Sequence, residues 1–250
     1  MTYVGVDWAG GTWVVVAATD GGATVTTQPS MLAVWYEHHD AAAILVDVPI
    51  GLPEDGPREC DVAAREILGA RGSTVFSVPA RAAVVAGDYE RAVEANEVAG
   101  CGGLGSQSWG LVPRISEVDV FLRTVDEARA VVYESHPEVC FATLAGEQLP
   151  KKDTDVGFER RLDVLADVDP AVGRDVREFT DRRRDGNAEW HHRIRAGRLD
   201  DVLDAAVLAV TGKRIGLSRR GDGSYPALPA GDDPPQDGEG LPMEIVYPGE

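Results

Sequence analysis

The chain carries carboxylates where a strand end or a helix interior would otherwise be apolar. Asp7 closes the run Tyr3-Val4-Gly5-Val6, Asp47 closes Ala43-Ile44-Leu45-Val46, and Glu134 follows Ala130-Val131-Val132-Tyr133. Asp201 and Asp204 stand three apart among Val202, Leu203, Ala205, Ala206, Val207 and Leu208, so they share one helical face. Brought together, such acids repel one another strongly unless cations intervene. Hard divalent ions, magnesium or manganese, favour these oxygen ligands. Two of them about 3.5–4 Å apart activate a water and stabilise the leaving oxygen of a phosphodiester. Asp7, Asp47, Glu134, Asp201 and Asp204 are therefore the candidate catalytic and metal-binding residues, with two Mg²⁺ or Mn²⁺ ions as the expected cofactors. Singly, each has a blander reading. Asp7 and Asp47 can serve turns, Glu134 can favour the following helix N-terminus, and Asp200 or Asp201 can cap the last helix. Together they point to a site, because clustered like charges are seldom purely structural.

Candidate phosphate contacts accompany them. Arg58, Asp61 and Arg65 recur at i, i+3 and i+7. They form either a surface ion pair or a device in which Asp61 holds Arg65 toward a phosphate, whose oxygens a guanidinium fork binds in pairs. Arg81 ends the nearby run from Ser73, and Arg114, with Gln107 and Glu117, flanks the glycine-rich segment 100–110. Lys151 and Lys152 are adjacent in a chain whose one other lysine is Lys213. Between Arg174 and Arg198, eight arginines outnumber five acids, Arg182, Arg183 and Arg184 being consecutive. This basic island leads into the Asp201/Asp204 segment, where it would receive a nucleic-acid backbone; the alternative is a solvated helix laced with ion pairs. Adjacent His191 and His192 would point about 100° apart on a helix and do not form a ligand pair. His136 could orient a water, act as an acid, or pack at a strand end.

These residues need a scaffold that makes their positions converge. Runs at 3–8, 13–18 and 23–27, separated by Gly10-Gly11 and Asp20-Gly21-Gly22, read as three hairpin-linked strands. A helix over 30–39 follows, then the continuously apolar strand 43–46, of the kind buried on both faces of a sheet. Helices are expected over 57–70, with Pro57 in the first turn, over 88–99 capped by Asp88, and over 114–124. The strand at 130–133 comes next, then helices after Pro137, over 157–166 and across most of 172–211. Residues 241–247 could form an edge strand. Three strands, a helix, a strand, helices, a strand and helices give an α/β protein with a mixed five-stranded sheet and helices on both faces. That is the ribonuclease H-like order, here with helical insertions and an extended C-terminal tail. Residues 1–220 would form the domain, and the Pro/Gly/Asp-rich segment 221–250 an extension packed on it.

Composition narrows the function. In 250 residues, Lys+Arg 24 against Asp+Glu 42 gives a net charge of −18, yet 44% of residues are hydrophobic. A core of that size excludes an acidic disordered chain, and the charge excludes coating of nucleic acid by bulk positive potential. Acid excess with so little lysine fits solubility in high salt; a GC-rich genome would also favour arginine. Cys60, Cys101 and Cys140 are odd in number and carry no CxxC, so neither a disulfide framework nor a zinc site is expected. The absence of a signal-like leader or a membrane-length apolar run leads to the expectation of a cytoplasmic protein without a membrane partner.

The segments Val4-Gly5-Val6-Asp7, Asp47-Val48-Pro49-Ile50-Gly51-Leu52-Pro53, Arg58-Glu59-Cys60-Asp61 with Ala64-Arg65, Glu134-Ser135-His136-Pro137-Glu138, Asp200-Asp201-Val202-Leu203-Asp204-Ala205 and Gly240-Leu241-Pro242-Met243-Glu244-Ile245 resemble the domain of unknown function 429 family. Its members are described as predicted nucleases of the ribonuclease H-like fold. The resemblance implies a metal-dependent nuclease in which Asp7 is the first-strand ligand, Asp47 the fourth-strand acid, and Asp201 or Asp204 the ligand from the last helix. Glu134 has no equally secure counterpart. Two other function classes stay open. One is an actin- or sugar-kinase-like ATP-binding protein, whose phosphate loop also begins strand–Asp–x–Gly, although no second copy of the fold is visible. The other is a non-catalytic relative that binds nucleic acid or protein.

Overall fold

The computed structural model describes residues 1–184, 194, 198–231 and 233–249. Trp190, His191, His192, Arg193 and Arg195 lie outside them, so the basic island is described only in part.

Strands β1 (Tyr3–Trp8), β2 (Trp13–Thr19) and β3 (Gly22–Gln28) form the expected antiparallel meander. Helix α1 (Met31–His38) starts at Ser30, whose hydroxyl accepts from the Ala33 amide. The chain then crosses over into β4 (Ala43–Val46), which pairs in parallel with β1. A long excursion follows through α2 (Glu59–Leu68), a 3-10 turn at Gly69–Thr74, α3 (Arg81–Val84), α4 (Tyr89–Val98) and α5 (Ser106–Thr124). It returns as β5 (Val132–Glu134), parallel to β4. Helices α6 (Pro137–Ala145), α7 (Asp155–Val168), α8 (Pro170–Arg184) and α9 (Leu199–Arg214) complete the body. The sheet order β3-β2-β1-β4-β5 is that of a mixed α/β fold consistent with the ribonuclease H-like class, and β1 and β4 are its central neighbours.

Several boundaries differ from the sequence reading. Pro57 precedes the first turn of α2 instead of opening it, since Arg58 is the N-cap. Helix α5 begins at Ser106 and carries Pro113 inside, because Val112 is buried with Ile115 and Val118 in one apolar cluster and tertiary packing overrides local preference. Neither Asp200 nor Asp201 caps α9: Arg198 is the N-cap, and both acids sit in the first turn. Among its described residues the C-terminal segment forms the short strand β7 (Ile245–Val246), which pairs with β6 (Ala227–Leu228), and isolated bridges tie Val246 to Ser135 beyond β5 and Pro242 to Gln236.

Side-chain alternation on the sheet decides what reaches the site. Tyr3, Ala43, Leu45 and Tyr133 pack with α6, α7, α8 and α9; Val4, Val6, Ile44, Val46 and Val132 pack with α1 and α5 on the other face. Gly5 lies on the α9 side, where an added Cβ would meet the Ala205 carbonyl oxygen at 1.9 Å. Only glycine lets the helix backbone approach the strand this closely.

Candidate metal centre

The same alternation puts Asp7 and Asp47 on the α9 face. Asp7 continues the Tyr3, Gly5 series and Asp47 the Ala43, Leu45 series. The parallel register aligns Val6 with Val46, and the Asp47 amide donates to the Val6 carbonyl at 3.0 Å, so the two acids end adjacent strands side by side. Helix α9 lies across them, held close by Gly5, and supplies Asp201 and Asp204. Asp7, Asp201 and Asp204 are all buried, and each offers a carboxylate oxygen within 4.8 Å of the other two.

These acids are poorly satisfied by protein groups. The Trp8 amide donates to Asp7 Oδ1 at 2.6 Å. Lys152 Nζ donates to Asp204 Oδ2 at 2.5 Å and approaches Asp200 at 3.5 Å. Asp201 Oδ2 and Asp204 Oδ1 are buried with no hydrogen-bond partner among the described residues; Arg198 comes no nearer to Asp201 than 3.8 Å. Burial raises all four carboxyl pKa values, and neighbouring acids add to it. Asp7 is raised well above the usual range by desolvation, then by Asp47 and Asp204. Asp47 is pushed up to about 8 by desolvation and then Asp204, and Asp201 to about 8 by desolvation and then Asp7. Asp204 is raised mainly by desolvation, against the lowering effect of Lys152. Orphaned buried oxygens on converging carboxylates are costly unless something positive meets them. The donor set, hard oxygens only, fits a divalent cation of the magnesium class.

A cleft of ≈420 Å³ opens beside the acids, lined among others by Asp47, Arg71, His136, Lys151, Lys152 and Asp204. A smaller groove of ≈220 Å³ continues past Lys152 and Asp200 to Arg184. His136 carries a buried Nδ1 with no partner among the described residues, and burial lowers its pKa, favouring the neutral ring.

Residues 5–231 match the family described as Protein of unknown function (DUF429). The chain belongs to that family. The match spans β1 to β6 and takes in every acid of the centre. No curated protein and no solved structure matches it.

The other sequence candidates are distributed differently. Glu134 ends β5 in register with Val46, which puts it on the face away from α9. Arg58 Nη1 and Nη2 donate to its two carboxylate oxygens at 2.7 Å each, and the Ile50 amide donates to it at 2.6 Å. Arg58 is 3% exposed and also binds Asp61 and the Ile50 carbonyl, so its donors are taken up inside the protein. Asp61 thus holds Arg58 and not Arg65, which instead donates to the Val75 carbonyl and the Ser77 hydroxyl. Arg81 ties α3 to Asp119 and Asp237. Arg114 pairs with Glu117 and lies over Trp8, on the α5 side of the sheet.

Among the described residues of the basic island, ion pairs prevail: Arg177 binds Glu159 and Asp163, Arg182 binds Glu178, and Arg184 binds Glu159 while covering Phe158. Arg183 is buried and donates to the Ile194 carbonyl. Lys151 and Lys152, by contrast, both line the cleft. The sequence reading overlooked Arg71. It sits in an irregular 3-10 turn, and only the fold carries it to the Leu149 carbonyl at 2.6 Å and to within 3.6 Å of Glu138.

Proposed function

We propose that this protein is a metal-dependent nuclease that hydrolyses phosphodiester bonds in nucleic acid. The observation that carries the reading is the convergence of the buried Asp7, Asp201 and Asp204 carboxylates, of which Asp201 Oδ2 and Asp204 Oδ1 accept no hydrogen bond among the described residues, beside a cleft rimmed by Arg71, Lys151 and Lys152. Asp7, Asp201 and Asp204, with Asp47 alongside, would hold Mg²⁺ or Mn²⁺, which supplies an activated water and charge stabilisation at phosphorus. The chain's own groups do the rest. Arg71 and Lys151 receive phosphate oxygens at the rim. The neutral His136 ring accepts or passes a proton at the cleft wall. The apolar packing under α9 keeps the carboxylates in a fixed arrangement before substrate arrives.

Three unbridged, buried cysteines fit a reducing compartment such as the cytoplasm. Among the described residues no helix is long and apolar enough to cross a membrane. The test is a cleavage panel of single strands, duplexes, hybrids and junctions with Mg²⁺ or Mn²⁺ at low and high salt. Cleavage by the wild type and none by Asp7→Asn supports the proposal. No cleavage of any substrate, with ATP binding instead, would replace it with the kinase-like alternative.

A further inference from the structure

Four carboxylates and one ammonium share the centre. The ammonium is not a loose surface group, because the backbone that carries Lys152 is braced on each side. Arg71 holds the Leu149 carbonyl at 2.6 Å and Arg161 the Pro150 carbonyl at 2.9 Å. The Lys151 carbonyl accepts from the Thr154 hydroxyl at 2.7 Å. Helix α7 comes so close that a Cβ on Gly157 would lie 1.9 Å from that same carbonyl oxygen. With its base fixed in this way, Lys152 delivers Nζ to 2.5 Å from Asp204 Oδ2 and 3.5 Å from Asp200.

The two oxygens of Asp204 therefore have different surroundings. Oδ2 already holds a cation. Oδ1, like Asp201 Oδ2, is buried and accepts no hydrogen bond among the described residues, Arg198 standing 3.8 Å from the latter, and those acids with Asp7 are the group that converges within 4.8 Å. One cation place is open and a neighbouring one is filled by the protein itself. A second divalent ion on Asp204 Oδ2 would have to displace a short, charge-assisted hydrogen bond.

We infer that the centre takes a single divalent ion and that the Lys152 ammonium serves as its second cation. This replaces the pair of ions expected from the sequence, and it rests on the metal-dependent reading above. Lys152 lines both the cleft and the adjoining groove. An ammonium has three donors, so one remains for a phosphate oxygen after Asp204 and Asp200 are served.

The test is to count Mn²⁺ bound to the metal-free full chain by calorimetry, with free Mn²⁺ read by electron paramagnetic resonance. One ion per chain is expected for the wild type, one for Lys152→Arg, and two for Lys152→Ala, where Asp204 Oδ2 is released. Lys152→Met, which keeps the aliphatic stem, takes the place of Lys152→Ala if that variant does not fold. Two ions in the wild type, or one in the neutral variants, overturns the inference while leaving a metal centre in place. No bound ion in any form removes the metal-dependent reading itself.

Discussion

Arg58 grips both carboxylate oxygens of Glu134, 2.7 Å from each, across the end of β5. Two residues that the sequence marked for separate tasks, a phosphate contact and a metal ligand, thus form one buried ion pair with Asp61 as its third member. Removing one partner from such a pair leaves an uncompensated buried charge. Arg58→Met is expected to destabilise the protein by about 3–5 kcal/mol, measured by urea unfolding. Glu134→Gln should lower stability without changing Mn²⁺ affinity; a large loss of Mn²⁺ binding in that variant would return Glu134 to the ligand set.

Asp201→Asn keeps side-chain size and removes a buried charge whose Oδ2 accepts no hydrogen bond among the described residues. In the absence of metal, its melting temperature should equal or exceed that of the wild type, since like-charge repulsion falls; Asp204→Asn also loses the Lys152 ion pair and should gain less or fall below the wild type. The increase in melting temperature produced by Mn²⁺ should shrink or vanish, because that increase scales with affinity for the native state. Differential scanning fluorimetry with EDTA and with Mn²⁺ reads both effects.

The raised carboxyl pKa values set a pH dependence with a definite sign. Asp47 and Asp201 titrate near 8 in the folded protein and near 4 when unfolded. Between those limits the native state binds more protons than the unfolded one, so metal-free stability falls as pH rises from about 4 to about 8. Mn²⁺ requires the deprotonated ligands, so its stabilisation should grow over the same interval. Melts from pH 5 to pH 8.5 test this, and Asp201→Asn should flatten the metal-free slope. An equal slope in that variant would trace the effect to overall negative charge instead.

Gly5→Ala tests the packing that supports the centre. The added methyl would collide with the Ala205 carbonyl and the Ala209 amide of α9. Overpacking of this kind costs about 1–3 kcal/mol, and here the relief is movement of α9, which carries Asp201 and Asp204 away from Asp7. A lower unfolding midpoint together with weaker Mn²⁺ binding is expected. A variant with wild-type values of both would mean that the strand–helix contact does not hold the carboxylates in place.

Lys151 is exposed on the cleft rim. Lys151→Ala should leave stability unchanged, weaken substrate binding, and reduce the slope of log affinity against log salt by about one phosphate contact. Binding in Ca²⁺, without turnover, is the measurement. An unchanged slope would exclude Lys151 from phosphate contact.

The sequence by itself determined the sheet. Alternating and continuously apolar runs, punctuated by glycines, specify the meander and the buried β4, because hydrophobic periodicity is local. It also determined that Asp7 and Asp47 end strands and that Asp201 and Asp204 share a helix face, for both follow from period; that β1 and β4 lie side by side at the centre is a non-local pairing that the folded sheet shows. Only the tertiary structure decided that Glu134 faces away from α9, since a strand-end residue takes its face from the register with its neighbour, here Val46. Tertiary structure likewise decided that Arg58 turns inward and that Lys152 meets Asp204 across 52 positions of chain. Long charged side chains reach partners that local pattern does not encode. Their pairing depends on which backbone segments the packed core brings within a few ångströms, and on which buried charge is left most in need of an opposite one.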